Sequence, residues 1–217
     1  SGIYKILQDL VKGGFVIQSQ STKKYSVGPA LYRLGYVYSE RKGIWDVANP
    51  VLKAISKITE ETVSIGIREG DDAILAYKLE GPHIIRLEDR VGRKYPLNAG
   101  AIGKLLAAYH NQDRIRKILS KSTLEKRTEN TITDVKELLL EYEIIRSNGY
   151  AISNGENRAG SYGISAPIYD RSGNVWSCLC LAGPKYRFTE RKIKNWINLV
   201  IDGANEISYR LGYEGEY

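Results

Sequence analysis

Methionine is absent from these 217 residues, an unusual lack in a chain whose hydrophobic (42%) and charged (26%) contents are otherwise ordinary for a globular protein. Cysteine is nearly absent too. Cys178 and Cys180 stand one residue apart in an apolar run, so on a strand they would point the same way and make poor disulfide geometry. A disulfide-stapled secreted scaffold is thereby excluded, and two structural thiols in a reducing compartment are the simpler reading. Histidine occurs only at His83 and His110, and two cysteines with two distant histidines match no spaced ligand motif, so no metal or other cofactor is expected. Neither GxxxxGK[ST] nor GxGxxG occurs. No run of eighteen apolar residues exists, and the opening SGIYKILQDL lacks a signal-peptide pattern; a soluble cytoplasmic protein without a membrane partner is expected. The chain opens inside a helical pattern, so a further N-terminal stretch is expected to precede it.

What is present is unevenly distributed. Within residues 1–43, seven cations (Lys5, Lys12, Lys23, Lys24, Arg33, Arg41, Lys42) face only Asp9 and Glu40, so five of the net seven positive charges sit there. A polyanion site at that end and an ordinary solvated basic face both account for this. The length suits one large domain or a small domain followed by a medium one.

Periodicity divides the chain. Ile3, Ile6, Leu7, Leu10 and Val11 recur at helical spacing and predict a helix with a buried stripe, stopped by Gly13 and Gly14. Phe15-Val16-Ile17 and Tyr25-Ser26-Val27 predict a small hairpin around a polar turn. Helix, glycine turn and hairpin together form the second half of a winged helix-turn-helix. An amphipathic helix over 30–42 is either a linker and dimer seam or a surface helix of its own domain. Helices are predicted at 45–59, 98–109, 112–119, 134–147 and 189–211, the last with Thr189 as cap. Strands are predicted at 61–68, 73–80, 83–87, 150–153, 162–169 and 175–181, with hairpin turns at 69–72 and 170–173. Hairpin-linked strands with flanking helices imply an α+β domain built on a largely antiparallel sheet.

Several motifs occur in one order: SGIYKILQDLVKGGFV with KKYSVGPALYRLG, then RVGRKYPLNAGAIGK (90–104), RTENTITD (127–134), GYAISNGENRAG with ISAPIYDRSG and LAGP (149–184), and a closing EISYRLGY. In this series the chain resembles the isocitrate lyase regulator (IclR) family of transcription regulators over essentially its whole length. The resemblance implies a winged helix-turn-helix over 1–28, a linker helix over 29–43 and a GAF-like effector-binding domain over 44–217. It also implies a homodimer or dimer of dimers that binds a double-stranded DNA operator and represses or activates nearby genes.

Two sites are expected. A recognition helix sets its N-terminal residues against base edges while cations on the wing hold phosphate. By family position Ser1 and Gly2 lie near bases, Tyr4 and Lys5 reach bases or backbone, and Lys23 and Lys24 occupy the wing; packing of Tyr4 and plain solvation of the lysines are the alternatives. In the second site, Asn98 reads as an N-cap, and the small residues after it leave helix-terminal N–H groups open to an anion, with Ala101 and Ile102 in that corner. The glycines and alanines equally permit close helix–sheet packing. The resemblance adds Ser153, Gly163, Cys180 and Ala182 to the effector pocket. At these positions, and at Asn98, the sequence departs from residues common in the family, so a less polar and roomier pocket is expected, suited to a larger and more apolar organic acid.

Two other function classes compete. An enzyme using Cys178 or Cys180 as nucleophile needs a nearby base, and His83 beside Pro82 and His110 at a helix end read as solvent-exposed. A sensor domain acting through protein partners, without DNA, is the other; it predicts no role for Lys23 and Lys24 in a DNA complex.

Overall fold

The short polar and glycine segments that punctuate the sequence fall where its helices and strands end. A computed structural model describes residues 2–40, 44–121 and 123–215 (side chains excepted at 35–40). Ser1 and residues 41–43, the end of the expected linker, lie outside the described residues. The chain forms two compact units, Ser1–Asp46 and Val47–Tyr217.

In the first unit, α1 (Gly2–Lys12) leads through a glycine turn into β1 (Val16–Gln18) and β2 (Tyr25–Val27), followed by α2 (Pro29–Glu40). Gly14 sits at φ 72°, and the N–H of Phe15 closes the helix onto the carbonyl of Leu10. A left-handed residue costs glycine little, which is why the chain can reverse there. The strands pair antiparallel with Val16 opposite Val27 and Gln18 opposite Tyr25. The apolar stripe of α1 differs from its expected burial: Ile3 is 74% and Ile6 61% exposed, and no residue of the helix is fully buried. Leu7 and Val11 of the stripe are half-buried, while Ile3, Ile6 and Leu10 are exposed.

The second unit is a six-stranded antiparallel sheet between two helical layers. α3 (Ile44–Thr59) enters it and leads to β3 (Thr62–Glu69), β4 (Asp72–Leu79) and a short edge strand β5 (Lys94–Tyr95). Then come α4 (Ala101–Ala108), α5 (Gln112–Lys121) and α6 (Val135–Asn148), followed by β6 (Ala151–Asn154), β7 (Ser161–Tyr169), β8 (Val175–Pro184) and α7 (Glu190–Arg210). The strand order is β5-β4-β3-β8-β7-β6. On one face α7 and α3 pack so closely that a Cβ on Gly203 would meet Ile55, Leu179 and Val51 within 3.1 Å. On the other face Ile102, Leu105 and Leu106 of α4 join Leu75, Cys178 and Cys180 of the sheet and Tyr142 and Ile145 of α6 in one core. Both cysteines are buried and free.

Two local expectations are corrected. Residues 83–87 form no strand; the segment between β4 and β5 is irregular, carries Ile84 at 94% exposure, and offers no ladder to a neighbour. The edge of the sheet is instead β5, paired with Ala73 and Ile74 of β4. Helix α4 starts at Ala101, not at 98, and Gly100 holds the cap position without a side-chain bond. Asn98 is not the cap because its amide nitrogen is engaged elsewhere: it donates to the carbonyls of Ile132 (2.8 Å) and Glu125 (3.3 Å) and so pins the loop before α6. Thr189 precedes α7 but makes no capping bond either, whereas Asp134 accepts from the Glu137 N–H and caps α6.

Gly103 shows how tightly α4 is seated. A Cβ there would lie 1.9 Å from the backbone carbonyl oxygen of Pro96. Alanine would favour the helix by about 1 kcal/mol in isolation, but the overlap is with backbone and must move the strand-to-helix connection. Gly103→Ala is expected to lower stability by about 2–3 kcal/mol net, read as a lower urea midpoint; an unchanged or higher midpoint would show that the connection gives way freely.

Candidate effector cavity and nucleic-acid-facing hairpin

Sheet register assembles the cavity. Ser153 pairs with Gly163, Gly163 with Ala182, and Ala182 with Thr62, so one cross-strand row runs through β6, β7, β8 and β3. Ser64 and Cys180 are opposite one another two residues further along, on the same face because side chains alternate along a strand. Above this row lies the start of α4. Between them is a cavity of about 60 Å³ whose lining includes Ala101, Ile102, Ser153, Gly163, Cys180 and Ala182. Of the sequence-expected set, Asn98 alone is not in it, because its amide is engaged with the loop before α6.

The lining also includes Lys78, Asp89, Arg93, Tyr95 and Arg158, none of them picked out by the sequence reading. The floor, with Leu75, Ile102 and Ala182, is apolar, but the rim is strongly charged. A water needs roughly 10–15 Å³, so the chamber has room for a few heavy atoms. Arg93 and Arg158 stand inside two of the family motifs, RVGRKY and GENRAG. Cations flanking a glycine-rich helix start were the available signal.

One wall of the cavity is held by buried charge. Lys104, 1% exposed, reaches Glu156 at 2.6 Å and Glu141 at 2.7 Å. The second oxygen of Glu156 accepts the N–H of Gly100 at 3.2 Å. Burial pushes the Glu156 carboxyl above its ordinary range, and Lys104 and the Gly100 N–H act against that. The loop carrying Glu156 is fixed further by Thr131, whose hydroxyl donates to the Glu156 carbonyl at 2.7 Å. Three distant motifs (90–104, 127–134 and 149–160) thus meet at Glu156, whose side chain binds Lys104 and whose carbonyl binds Thr131.

The cysteines are unsuited to nucleophilic work. Burial pushes the Cys180 thiol up to about 12, with Asp89 adding to it, and burial drives Cys178 well above its usual value; a neutral thiol is a poor nucleophile. His83 lies 3.6 Å from Glu60, and His110 lies 3.5 Å from Asp71. His110 is more enclosed than expected, 13% exposed, and burial lowers its pKa.

In the first unit the polar turn of the hairpin is ordered by its own backbone. The N–H of Lys23 donates to the Ser19 carbonyl at 2.9 Å, and Gln18 donates to the Lys23 carbonyl at 2.9 Å. Lys23 takes φ 58°, unusual for a side-chain-bearing residue, and its chain and that of Lys24 are exposed. Gly2, Tyr4 and Lys5 occupy the exposed first turn of α1, with Tyr4 63% exposed. Ser1 lies outside the described residues.

The family profile described as "Bacterial transcriptional regulator IclR C-terminal" matches residues 37–209. The HTH-type transcriptional regulator KdgR of Escherichia coli K12 is 30% identical over 98% of this chain and 81% of its own length. The HTH-type transcriptional repressor AllR of the same strain is 29% identical over 98% of this chain and 78% of its own length. The crystal structure of the Thermotoga maritima IclR matches with a TM-score of 0.80 and 34% identity, covering 97% of this chain and 85% of that one. The C-terminal domain of E. coli KdgR matches with a TM-score of 0.70 and 29% identity over 78% of this chain and 99% of that one. The chain belongs to the IclR family of bacterial transcriptional regulators, and its second unit has the fold of the family's C-terminal effector domain. These relatives are named as regulators of transcription, and no enzymatic family is indicated. Among the described residues no helix is long and apolar enough to cross a membrane.

Removing one partner from a buried ion pair leaves the other uncompensated, at a cost of about 3–5 kcal/mol. Lys104→Met is expected to lose that much in urea unfolding at neutral pH. The sign with pH follows from Glu156: its folded-state carboxyl is raised, so its penalty is present above the folded pKa and relieved as pH falls through it. The deficit of the variant should therefore shrink in acid. A deficit that is constant or grows as pH falls toward about 5 would contradict this.

Proposed function

We propose that this protein is a sequence-specific DNA-binding regulator whose operator affinity is set by a small organic acid bound between the start of α4 and the sheet. The observation that carries the reading is the cavity itself. All six strands of the sheet contribute to its lining, a helix N-terminus opens into it, and cations ring its mouth, an arrangement suited to a carboxylate. In this reading residues 1–28 are the second half of a winged helix-turn-helix, 29–43 a linker helix and 44–217 a GAF-like effector domain. Gly2, Tyr4 and Lys5 face the major groove with Ser1, and Lys23 and Lys24 hold phosphate on the wing. Exposed Ile3, Ile6 and Leu10 on α1 support the same assignment, since neighbouring exposed apolar side chains mark a surface that another element covers. The protein acts in the cytoplasm as a homodimer or dimer of dimers, and requires no cofactor.

An effector changes DNA affinity only by binding two arrangements of the protein unequally, commonly by about 1–3 kcal/mol. The cavity wall is the element to carry that difference, because it joins α4, α6 and the 154–160 loop through one buried charge network.

Lys23→Ala with Lys24→Ala is expected to weaken operator binding across all DNA sequences and to reduce the log–log salt slope by roughly 0.9 for each phosphate no longer neutralised. Binding of organic acids should be unchanged. DNA affinity and salt slope equal to wild type would remove the wing from the interface and favour a sensor acting through protein partners.

A further inference from the structure

We propose that the cavity selects a small dianion, an acid with a second anionic group two to four carbons from its carboxylate, and that Arg158 is the residue that makes the selection. This rests on the effector reading and adds the ligand's charge to it.

The inner chamber supplies the first anion site. Ser153 is only 4% exposed and lines the chamber, yet its hydroxyl has no hydrogen-bond partner among the described residues. A hydroxyl that lines the chamber and makes no bond to the protein is available to a ligand or water there. It faces the start of α4, where the first-turn N–H groups of Ala101 and Ile102 have no acceptor within the helix. Glu156 does not fill this corner, because its carboxylate is spent on Lys104 and the Gly100 N–H. At about 60 Å³ the chamber holds one end of a short acid and leaves the other at the mouth.

The mouth supplies the second. An outer depression of about 510 Å³ is lined by Glu88, Arg90, Arg93 and Arg158, and it shares Arg93 and Arg158 with the inner chamber. Most charges there are already answered. Arg93 pairs with Asp89, Arg90 with Glu88 at 3.3 Å, and Lys78 with Glu80 at 2.5 Å. Arg158 is the exception: no carboxylate lies within ion-pair distance of it among the described residues. It donates instead to the backbone carbonyl of Glu88 at 3.0 Å, which holds the guanidinium at the mouth. A monoanion seated in the chamber leaves this cation unmatched and sets an apolar tail against it. A dianion pairs with it in a fixed, charge-assisted geometry.

A dicarboxylate and a phosphorylated acid share this chemistry, and calorimetry on the full chain separates them. Succinate is compared with butyrate, which has the same four-carbon skeleton and one carboxylate fewer, and 3-phosphoglycerate with glycerate. On the wild type at least one dianion should bind about tenfold or more tighter than its monoanionic partner, as expected for one charge-assisted bond. Which dianion does so identifies the second group. In Arg158→Ala, a change at an exposed side chain, the two members of that pair should bind within about twofold of each other. Equal binding of both members of each pair to the wild type, or a preference that survives Arg158→Ala, overturns the proposal while leaving the effector reading standing. Failure of all four compounds to bind wild-type protein counts against both.

Discussion

Lys104 sits on the helix that roofs the cavity, almost wholly removed from water, with two carboxylates from different parts of the chain as its partners. An ammonium group in that position would be untenable alone, and Glu156 would be equally untenable without it. Each therefore depends on the other, and together they fix where the 154–160 loop stands relative to α4. Because Glu156 also accepts from the Gly100 N–H, the same carboxylate sets the first turn of α4, whose amides face the chamber. The cavity has one wall of sheet, which register makes rigid, and one wall of charge.

Much of the architecture was legible from local pattern. The turns at Gly70-Asp71 and at 170–173 stand where glycine and aspartate clusters interrupt alternating apolar runs, and the strands on either side pair as hairpins. Cys180 lies on the same cavity-lining face as Ser153, Gly163 and Ala182, a placement that the period-two geometry of the sheet explains. What local pattern missed was long-range. Asn98 has the residue type and position of a helix cap, but its partners are carbonyls 27 and 34 residues away, which no reading of neighbours can supply. Residues 83–87 carry enough apolar character for a strand yet find no neighbouring ladder. Lys104, Glu141 and Glu156 look like ordinary surface charges until the fold buries them together, and Arg93 and Arg158 acquire meaning only once the rim is closed.

A regulator needs an element that two bound states prefer to hold differently. A packed sheet cannot move by fractions of an ångström without loss, whereas a loop tethered by one ion pair, two hydroxyls and a helix N-terminus can settle into alternatives of similar energy. Thr128 and Thr131 bind the same loop through its carbonyls, so a displacement at Glu156 is felt by the segment that leads into α6.

The dependence on the charge network is tested most directly by amide hydrogen exchange on the full chain, comparing wild type with Glu156→Ala in the absence of any ligand. The account predicts that residues 98–104 and 154–160 exchange faster together, by about tenfold or more, while β7 and β8 keep their protection. Exchange in those two segments indistinguishable from wild type would contradict it.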